Sequence, residues 1–465
     1  MDIETLAARY SGIPSHWKLS TLGESLTAII GGGTPSRDNP SLWGGPIPWL
    51  TVKDMRGRRP SQSQEYITEK AVKESATNII PPDTVITATR VGLGKVVRVP
   101  FAAAINQDLK ALVVGPDLDK SYLEYWLVSI ASFLESIGSG TTVKGIRLET
   151  LRQLSIPLAP LEEQREIVAE IEKQFSRLDE AVANLQRVKA NLKRYKASIL
   201  KAAVEGRLVE TEASIAQREG RSYETGEQLL QRILAERRGK WAGKGKYKEP
   251  EEPALDGLNT LPEGWVYATT EQMCEQIASG STPSPDAMFS GAGEVPFLKV
   301  YNLTFDGSLD FTVKPTYVAD TTHQGLLARS RSIPGDVLMN IVGPPLGKVS
   351  IVPSIFPEWN INQAIVTFRT STGLVNRLLA HWLLAQPVLS RLERTAKATA
   401  GQQNLQVSTC RKLPIPVPPI TEQVRIVAEV DRHLSIVREF EAQVDANLQR
   451  AQGLRQSTLF KLFQA

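Results

Sequence analysis

Two short stretches with glycine and lysine are the nearest approach of this sequence to a phosphate-binding loop. They read "RVGLGKVV" at 90–97 and "GPPLGKVS" at 343–350. Neither has the GxxxxGK[ST] spacing, and each lies between β-rich runs rather than before a helix, so we interpret both as hairpin turns. The "DNPS" at 38–41 also lacks the second proline and the aromatic residue of the motif with which amino-methyltransferases hold a flipped base.

Metal and redox chemistry lack their usual residue patterns as well. The sequence has two cysteines and four scattered histidines: Cys274, Cys410, His16, His323, His381 and His433. They form no zinc spacing and no disulfide framework, and no G-x-G-x-x-G opens a βαβ unit. We therefore expect no catalytic residues, no structural metal and no cofactor bound by this chain, which favours a binding protein.

Basic and amide residues, in contrast, gather next to predicted strands and turns. In the first half they are Lys53, Arg56, Arg58, Arg59, Arg90, Lys95, Thr141, Thr142, Lys144 and Arg147. In the second half they are Lys299, Asn302, Lys348, Lys397, Gln402, Gln403 and Asn404. Arginine suits guanine, Asn and Gln suit adenine, and lysine mostly meets phosphate. We predict that these residues contact double-stranded DNA.

The two sets correspond because the chain is a duplicated unit. Trp17 and Trp265 lie 248 residues apart, and the same offset carries "GGGTPS" onto "ASGSTPS". The offset grows to 253 at the "LGKV" pair, 256 at the two "INQ" motifs, and 259 from "APLEEQ" to "PPITEQ". Insertions in loops between fixed elements produce such a gradual drift, so both copies are expected to share one fold.

Each copy begins with short β-rich runs broken by glycine and proline and continues into one amphipathic helical stretch. The fold class predicted is α+β, with two duplicated α+β domains separated by two long antiparallel coiled-coil helices. The predicted domains are 1–158 and 261–417, the long helices are 159–206 and 418–465, and 207–260 is a linker with an amphipathic helix near 226–241.

The coiled coil is predicted from apolar residues spaced seven apart. Ile171, Leu178, Leu185, Leu192 and Ile199 form one stripe, and Val430, Val437, Val444 and Ala451 form its copy. Each stripe could instead pack on its own globular domain, but we favour pairing of the two helices. Glu441 and Arg455 interrupt the second stripe. Glu441 could pair with Lys189 or Lys196, whereas Arg455 has no acidic partner that the sequence identifies.

Composition agrees with a globular protein outside the membrane. The 465 residues are 42% hydrophobic with a net charge of +4, which neither demands nor excludes nucleic acid. The start has no signal-peptide pattern and no apolar run is long enough for a membrane helix. We expect a cytoplasmic, prokaryotic protein that does not contact a membrane.

The repeated order W…GGGTPS…GLGK…INQ…P-L-x-E-Q, the helix end "KASILKAAVEGRL" and the central "LLQRILAERRGKWAGKGKYKEPEEPALDGLNTLPEGW" closely resemble the specificity subunit of type I restriction-modification systems. The resemblance covers essentially the whole chain. It implies two target recognition domains, each reading one half of a bipartite, asymmetric DNA site, with two conserved helices that set the gap. It does not supply base contacts, because these domains vary freely within the family.

The resemblance also implies partners: two modification subunits that bring S-adenosylmethionine and methylate adenine, and two restriction subunits that bring ATP- and Mg-dependent translocation and cleavage. The modification subunits dock on the conserved helices and neighbouring segments, which would give the 226–241 helix a role. The alternative from another class is a coiled-coil scaffold whose globular domains bind proteins. It predicts no salt-steep DNA affinity. A fused restriction-methylation enzyme is disfavoured by the missing motifs.

Overall fold

A computed structural model describes residues 3–140, 144–243, 245–399 and 402–464. Its contacts divide the chain into two units. Unit 1 comprises Met1–Arg187 with Val444–Ala465, and unit 2 comprises Val188–Gln443. Each long helix therefore contributes one part to each unit. Among the described residues, no helix combines the length and the apolar character needed to cross a membrane.

Unit 1 contains one copy of the duplicated fold. Its helices are α1 (Ile3–Ala8), α2 (Leu22–Ser25), α3 (Glu69–Glu74), α4 (Lys120–Ser129), α5 (Ala131–Ile137), α6 (Leu148–Arg152) and most of α7 (Leu161–Val204). Its strands are β1 (Lys18–Thr21), β2 (Leu26–Gly31), β3 (Trp43–Leu50), β4 (Glu65–Ile67), β5 (Ile79–Ile80), β6 (Val85–Ala88), β7 (Val96–Val97), β8 (Ala103–Ile105), β9 (Leu109–Val114) and β10 (Ser155–Leu158).

Unit 2 contains the other copy, preceded by two helices of the central segment. Its helices are α8 (Glu212–Glu219), α9 (Gly226–Gly239), α10 (Thr270–Met273), α11 (Asp320–Gln324), α12 (Asn376–Leu384), α13 (Gln386–Thr395), α14 (Val407–Arg411) and the first part of α15 (Ile420–Leu462). Its strands are β11 (Val266–Thr269), β12 (Cys274–Ser279), β13 (Phe289–Ser290), β14 (Val295–Leu298), β15 (Thr316–Val318), β16 (Arg331–Ser332), β17 (Val337–Asn340), β18 (Val342–Gly343), β19 (Val349–Ile351), β20 (Trp359–Ile361), β21 (Ile365–Thr370), β22 (Lys397–Thr399), β23 (Gln402–Asn404) and β24 (Pro414–Val417).

The two units repeat the same sheets. An antiparallel sheet has the order β2-β9-β6-β7 in unit 1 and β12-β21-β17-β19 in unit 2. A mixed sheet has the order β4-β3-β8-β5 in unit 1 and β13-β15-β14-β20-β16 in unit 2, and its parallel pair is β3 with β8 or β14 with β20. A two-stranded sheet, β1 with β10 or β11 with β24, precedes each long helix. The predicted α+β fold class and the duplication are confirmed.

A close approach of two backbone segments explains why the glycine motif and the "INQ" motif occur twice. A Cβ atom on Gly32 would lie 1.9 Å from the carbonyl oxygen of Ile105, and one on Gly280 would lie 2.0 Å from that of Ile361. Both distances are far below van der Waals contact, so only glycine fits. The turn after β2 or β12 therefore lies directly against the end of β8 or β20.

A buried glutamine ties each long helix to its globular domain. In unit 1, the Gln164 amide accepts a hydrogen bond from Asp119 N and donates to the carbonyl oxygens of Asp117 and Ala159. In unit 2, Gln423 accepts from Val375 N and donates to Gly373 and Pro418. Both glutamines are fully buried. This is the physical reason for the repeated "EQ" at the start of α7 and α15.

The long helices are antiparallel within each unit. In unit 1 the start of α7 meets the end of α15, because Phe175 shares an apolar core with Leu459 and Phe463. In unit 2 the end of α7 meets the start of α15, where the hydroxyl of Tyr195 lies 2.7 Å from His433 Nδ1. The same unit 1 core includes residues of α4, so these helices pack on the globular domain as well as on each other.

Charged residues accompany this helix pairing. The sequence identifies no acidic partner for Arg455, but its guanidinium forms an ion pair with Asp179 and lies 5.1 Å from the ring centroid of Phe175. Glu441 lines the same cavity of unit 2 as Lys196. The pairing predicted between Glu441 and Lys189 or Lys196 stays a prediction.

The central segment forms two helices, of which the sequence predicted one. Helix α9 begins after Thr225, whose side chain accepts from Gln228 N in a capping box. Leu229, Leu230 and Ile233 of α9 are buried in the core of unit 2. Helix α8 was not predicted, because its buried apolar residues are two small alanines, Ala213 and Ala216.

Substituting Gly280 with alanine tests the close approach. We expect the thermal midpoint of unfolding to fall by several degrees, because a backbone oxygen cannot move aside cheaply and overpacking costs about 1–3 kcal/mol. Gly12→Ala is the control, since a Cβ there has nothing within 4 Å. Equal midpoints for the two variants, measured by scanning calorimetry, would contradict the steric explanation.

Candidate nucleic-acid interface

The first predicted cluster lies on the turn after β3. A 3₁₀ helix covers Val52–Asp54, and the buried Asp54 carboxylate accepts hydrogen bonds from Thr51 N and Gln64 N, both at 2.7 Å. These bonds fix the turn, and Lys53 and Arg56 project from it as exposed side chains. The positions of both cations are thus set by an anionic residue that sequence reasoning did not select.

The equivalent turn of unit 2 is fixed by Asn302. Its Oδ1 accepts from Lys299 N at 3.0 Å, and its Nδ2 donates to the carbonyl oxygens of Asp310 and Val313. Asn302 is 1% exposed, so it holds the turn from inside, as Asp54 does in unit 1. Lys299 is partly exposed beside it.

The guanidinium groups of Arg58 and Arg59 bind a buried carboxylate of their own unit. The fully buried Glu124 carboxylate of α4 accepts from Arg58 at 3.0 Å, from Arg59 at 2.7 Å and from Arg98 at 2.6 Å. The Arg58 guanidinium also lies 4.0 Å from the ring centroid of Tyr125. Burial lowers the pKa of Arg58, but the attraction to Glu124 and Tyr125 outweighs burial, and the pKa is raised overall.

Arg90 and the loop at 138–147 come together in unit 1. Arg90 forms a β-bridge with Gly145, and the N–H of Ile146 donates to the carbonyl oxygen of Thr89. Arg90, Lys95, Lys144 and Arg147 are all exposed or partly exposed. Among the described residues, the ion pair of Arg90 is a long one, at 3.8 Å from Asp108, and its side chain is 54% exposed. Thr141 and Thr142 lie outside the described residues.

The turn that follows Arg90 also lies against the turn after β3. A Cβ on Gly92 would lie 2.9 Å from Val52 Cγ1, so the backbone passes directly over this side chain. Gly92 has a φ of +80°, which L-residues rarely adopt. The three segments selected from the sequence of the first half therefore converge on one region of unit 1.

The same convergence occurs in unit 2. Lys348 Nζ donates to the carbonyl oxygen of Val300 at 3.2 Å and lies 5.7 Å from the ring centroid of Phe305. Strand β18 pairs with β23, which places Val342 opposite Asn404. Asn404 is partly exposed, whereas the side chains of Lys397, Gln402 and Gln403 lie outside the described part of the structure. Three equivalent segments thus meet in each unit.

Sequence reasoning did not select several exposed residues of these regions. Gln107 accepts from Thr34 Oγ1 and precedes Asp108, whose carbonyl oxygen accepts from Arg90 N. In unit 2, Gln363 N donates to Thr282 Oγ1. Their signal was the recurrence of "TPS" and "INQ" in both halves. Phe305, which is 49% exposed beside Lys348, had no such signal.

A scan against protein families matches the description "Type I restriction modification DNA specificity domain" at residues 14–194 and 262–450. The two matches coincide with the two copies of the repeat, each with part of a long helix. Among the described residues, no group of three or more His, Cys, Asp or Glu side chains could hold a metal ion.

Named relatives cover the chain to different extents. The MjaIX specificity subunit of Methanocaldococcus jannaschii is 32% identical over 33% of this chain, and the match spans 37% of that relative's length. The EcoBI specificity subunit of Escherichia coli is 24% identical over 78% of this chain and 69% of its own. The EcoKI specificity subunit of Escherichia coli is 21% identical over 97% of this chain and 89% of its own.

A solved structure supports the fold over nearly the whole chain. It has a TM-score of 0.65 at 18% identity, and the alignment covers 97% of this chain and 99% of the other. That structure was described as the basis of complex assembly and conformational transition of the type I R-M system. At this identity the likeness establishes the shared fold.

The Glu124 contact generates a test of whether Arg58, Arg59 and Arg98 stabilise unit 1 through a buried carboxylate. Glu124→Gln removes a fully buried carboxylate from three guanidinium groups and should destabilise unit 1 by about 3 kcal/mol. Glu65→Gln is the control, because the Glu65 pair with Arg37 is exposed at the surface and should contribute less than about 1 kcal/mol. Thermal unfolding of both variants measures the difference, and equal effects would contradict a stabilising role of the Glu124 contact.

Proposed function

Because the chain belongs to the type I restriction-modification DNA specificity family, we propose that it is the subunit that selects the DNA sequence in such a system. In this proposal, each globular domain reads one half of a bipartite, asymmetric site. The chain performs no catalysis, and its binding directs adenine methylation and DNA cleavage by partner subunits.

The observation that carries the proposal is the convergence of three segments in each unit. In unit 1 the exposed Lys53, Arg90 and Lys144 lie on these segments, and in unit 2 Lys299, Lys348 and Asn404 lie on the equivalent ones. Cations position a protein on the phosphates, while amide and guanidinium groups read base edges. Arg58, Arg59 and Asn302 enter the proposal as supports of the turns, since their polar atoms bond within their own units.

The proposed partners are two modification subunits and two restriction subunits. S-adenosylmethionine, ATP and Mg would be bound by these partners. The proposal is supported by the relatives, which are named as specificity subunits, and by a solved neighbour described in terms of type I assembly. The central segment with α8 and α9 supplies a surface for a modification subunit. A scaffold that binds only proteins would need neither the basic turns nor their repetition.

The test of this function is methylation sequencing of DNA from cells that express the chain with an active modification subunit encoded beside it. We expect methyladenine in a new two-part motif with a fixed gap. Cells that lack this chain are the control. If the modification subunit is shown to be active in a complex with another specificity subunit, the absence of a new motif would favour the alternative that this chain is a protein-binding scaffold.

Exchanging residues 1–158 for the equivalent segment of a relative separates the two domains. We expect one half of the methylated motif to change and the other half to stay, because each unit contains its own three converging segments. The methylated motifs of the parent and the exchanged chain measure this directly. A change in both halves would mean that the domains do not read DNA independently.

The triple variant Lys53→Ala, Arg90→Ala, Lys144→Ala tests the surface of unit 1. We expect weaker DNA binding and a salt dependence of log K that is shallower by about 2–3, because each phosphate that the protein no longer neutralises reduces the slope by about 0.9. Lys18→Ala, Lys70→Ala, Lys73→Ala is the charge-matched control on β1 and α3. Fluorescence anisotropy at several salt concentrations distinguishes them, and identical slopes would remove this surface from the DNA interface.

A further inference from the structure

Unit 2 contains a cavity of about 370 Å³ between helix α12 and the long helices α7 and α15. All of its lining residues fall within the range of that unit, Val188–Gln443. Pockets that bind small molecules have volumes of about 300–1,000 Å³. The apolar part of the lining consists of Ile351, Ala380, Leu434 and Val437. The cavity is therefore large enough, and apolar enough on one side, to hold a small organic molecule.

The repeat explains why this cavity exists, because larger side chains stand in the equivalent place of unit 1. The backbones correspond there, since Arg98 N donates to the carbonyl oxygen of Arg58 as Ile351 N donates to that of Gly307. Five positions carry a smaller side chain in unit 2: Arg58 corresponds to Gly307, Arg98 to Ile351, Glu124 to Ala380, Tyr125 to His381 and Phe175 to Leu434. The space that these side chains occupy in unit 1 is open in unit 2.

In unit 1 this place contains two aromatic rings with a cation beside them. The ring centroids of Tyr125 and Phe175 are 5.8 Å apart. The guanidinium group of Arg455 lies 5.1 Å from the ring centroid of Phe175 and forms an ion pair with Asp179. A cation is attracted both to the face of a ring and to a carboxylate. Unit 1 thus supplies the ring, the cation and the carboxylate from its own side chains.

Unit 2 retains the cation of this set but has neither its ring nor its carboxylate. At the offset of 259 residues, Lys196 stands in place of the arginine, Leu434 in place of the phenylalanine and Arg438 in place of the aspartate. All three line the cavity. A ligand with an aromatic ring and a carboxylate would supply the two groups that unit 1 supplies itself.

Two of the acidic side chains at the cavity already have partners within unit 2. Asp431 Oδ1 lies 2.8 Å from Arg377 Nη2. Asp306 Oδ1 accepts hydrogen bonds from Thr304 Oγ1 at 2.5 Å and from Ser308 Oγ at 2.6 Å. These contacts satisfy both carboxylates without a ligand.

The third acidic side chain, Glu441, lies beside Arg438 on α15. The two residues are three positions apart, which places them on one face of the helix with about 5–6 Å between their Cβ atoms. Among the described residues, no ion pair joins the two side chains, which are exposed and partly exposed. Unit 1 has Val182 at the position of Glu441, so this carboxylate is particular to unit 2. A ligand can pair a carboxylate with Arg438 and an ammonium group with Glu441.

We propose that the cavity of unit 2 binds an aromatic α-amino acid as its zwitterion. The ring packs on Leu434 and Val437, where unit 1 has an aromatic ring of its own. The carboxylate pairs with Arg438 and Lys196, and the ammonium group pairs with Glu441. This inference concerns a site apart from the proposed DNA contacts and stands whether or not the basic turns read DNA.

Isothermal titration calorimetry of the full chain with four probes tests each part of the ligand. L-phenylalanine has both charges and the ring, phenylacetate lacks the ammonium group, phenethylamine lacks the carboxylate, and L-alanine lacks the ring. We expect L-phenylalanine to bind about fivefold more tightly than either singly charged compound and about tenfold more tightly than L-alanine. Equal affinities for the three aromatic compounds, or no saturable binding of L-phenylalanine, would overturn the proposal.

Substitutions that copy unit 1 show whether L-phenylalanine occupies this cavity. Leu434→Phe should weaken its binding about tenfold by filling the space, and Arg438→Asp should weaken it about fivefold by repelling the carboxylate. Glu441→Gln should make the affinities for L-phenylalanine and phenylacetate equal. Arg450→Asp, at an exposed position of α15 in unit 1, is the control and should leave binding unchanged.

Thermal unfolding checks that each of these variants is folded. Arg438 is exposed, so Arg438→Asp tests the site even if the larger ring of Leu434→Phe disturbs packing. If Arg438→Asp and Glu441→Gln bind L-phenylalanine as the parent chain does, the amino acid binds elsewhere and the proposal is wrong. Loss of DNA binding by the basic-turn variants would not affect this outcome.

Discussion

The attachment of each long helix to its globular domain depends on one buried amide. Gln164 and Gln423 each satisfy one backbone N–H and two backbone carbonyl oxygens, and an unpaired buried polar group costs about 1–3 kcal/mol. The amide therefore fixes the helix start against the loop before α4 or α12. Strands β10 and β24, which precede the helices, add a second attachment through β1 and β11.

The converging turns of the two globular domains have the same backbone arrangement but different side chains. Asp54 and Asn302 occupy equivalent places and hold equivalent 3₁₀ turns, but one is charged and the other is neutral. Glu124, which binds three arginines in unit 1, corresponds to Ala380 in unit 2. The backbone arrangement is thus retained while the charges change. In the proposed function, this pair of domains would read two different DNA sequences with one backbone geometry.

The sequence predicted most of the fold because duplication and heptad spacing are properties of the chain itself. The sequence also selected the segments that converge in each unit, since turns rich in basic and amide residues can be recognised without a structure. The sequence could not show that Arg90 is exposed at the surface whereas Arg58 binds within its own unit. The partner of Arg58 is the buried Glu124, which lies 66 residues away in the chain. The sequence also missed Asp179 as the partner of Arg455, because the two residues are far apart in the chain. It missed α8 because a short helix held by ion pairs has little apolar periodicity.

The glutamine attachment has a consequence for behaviour at different ionic strengths. An uncharged amide bonded to backbone groups does not titrate, and dissolved ions do not screen it appreciably when it is fully buried. The basic turns, which we propose to contact DNA, would act through charges at the surface, where screening is strong. A rise in salt concentration can therefore release such a surface from a polyanion while each globular domain stays attached to its long helix. Release from the polyanion and renewed binding would then need no refolding where the long helix meets its domain.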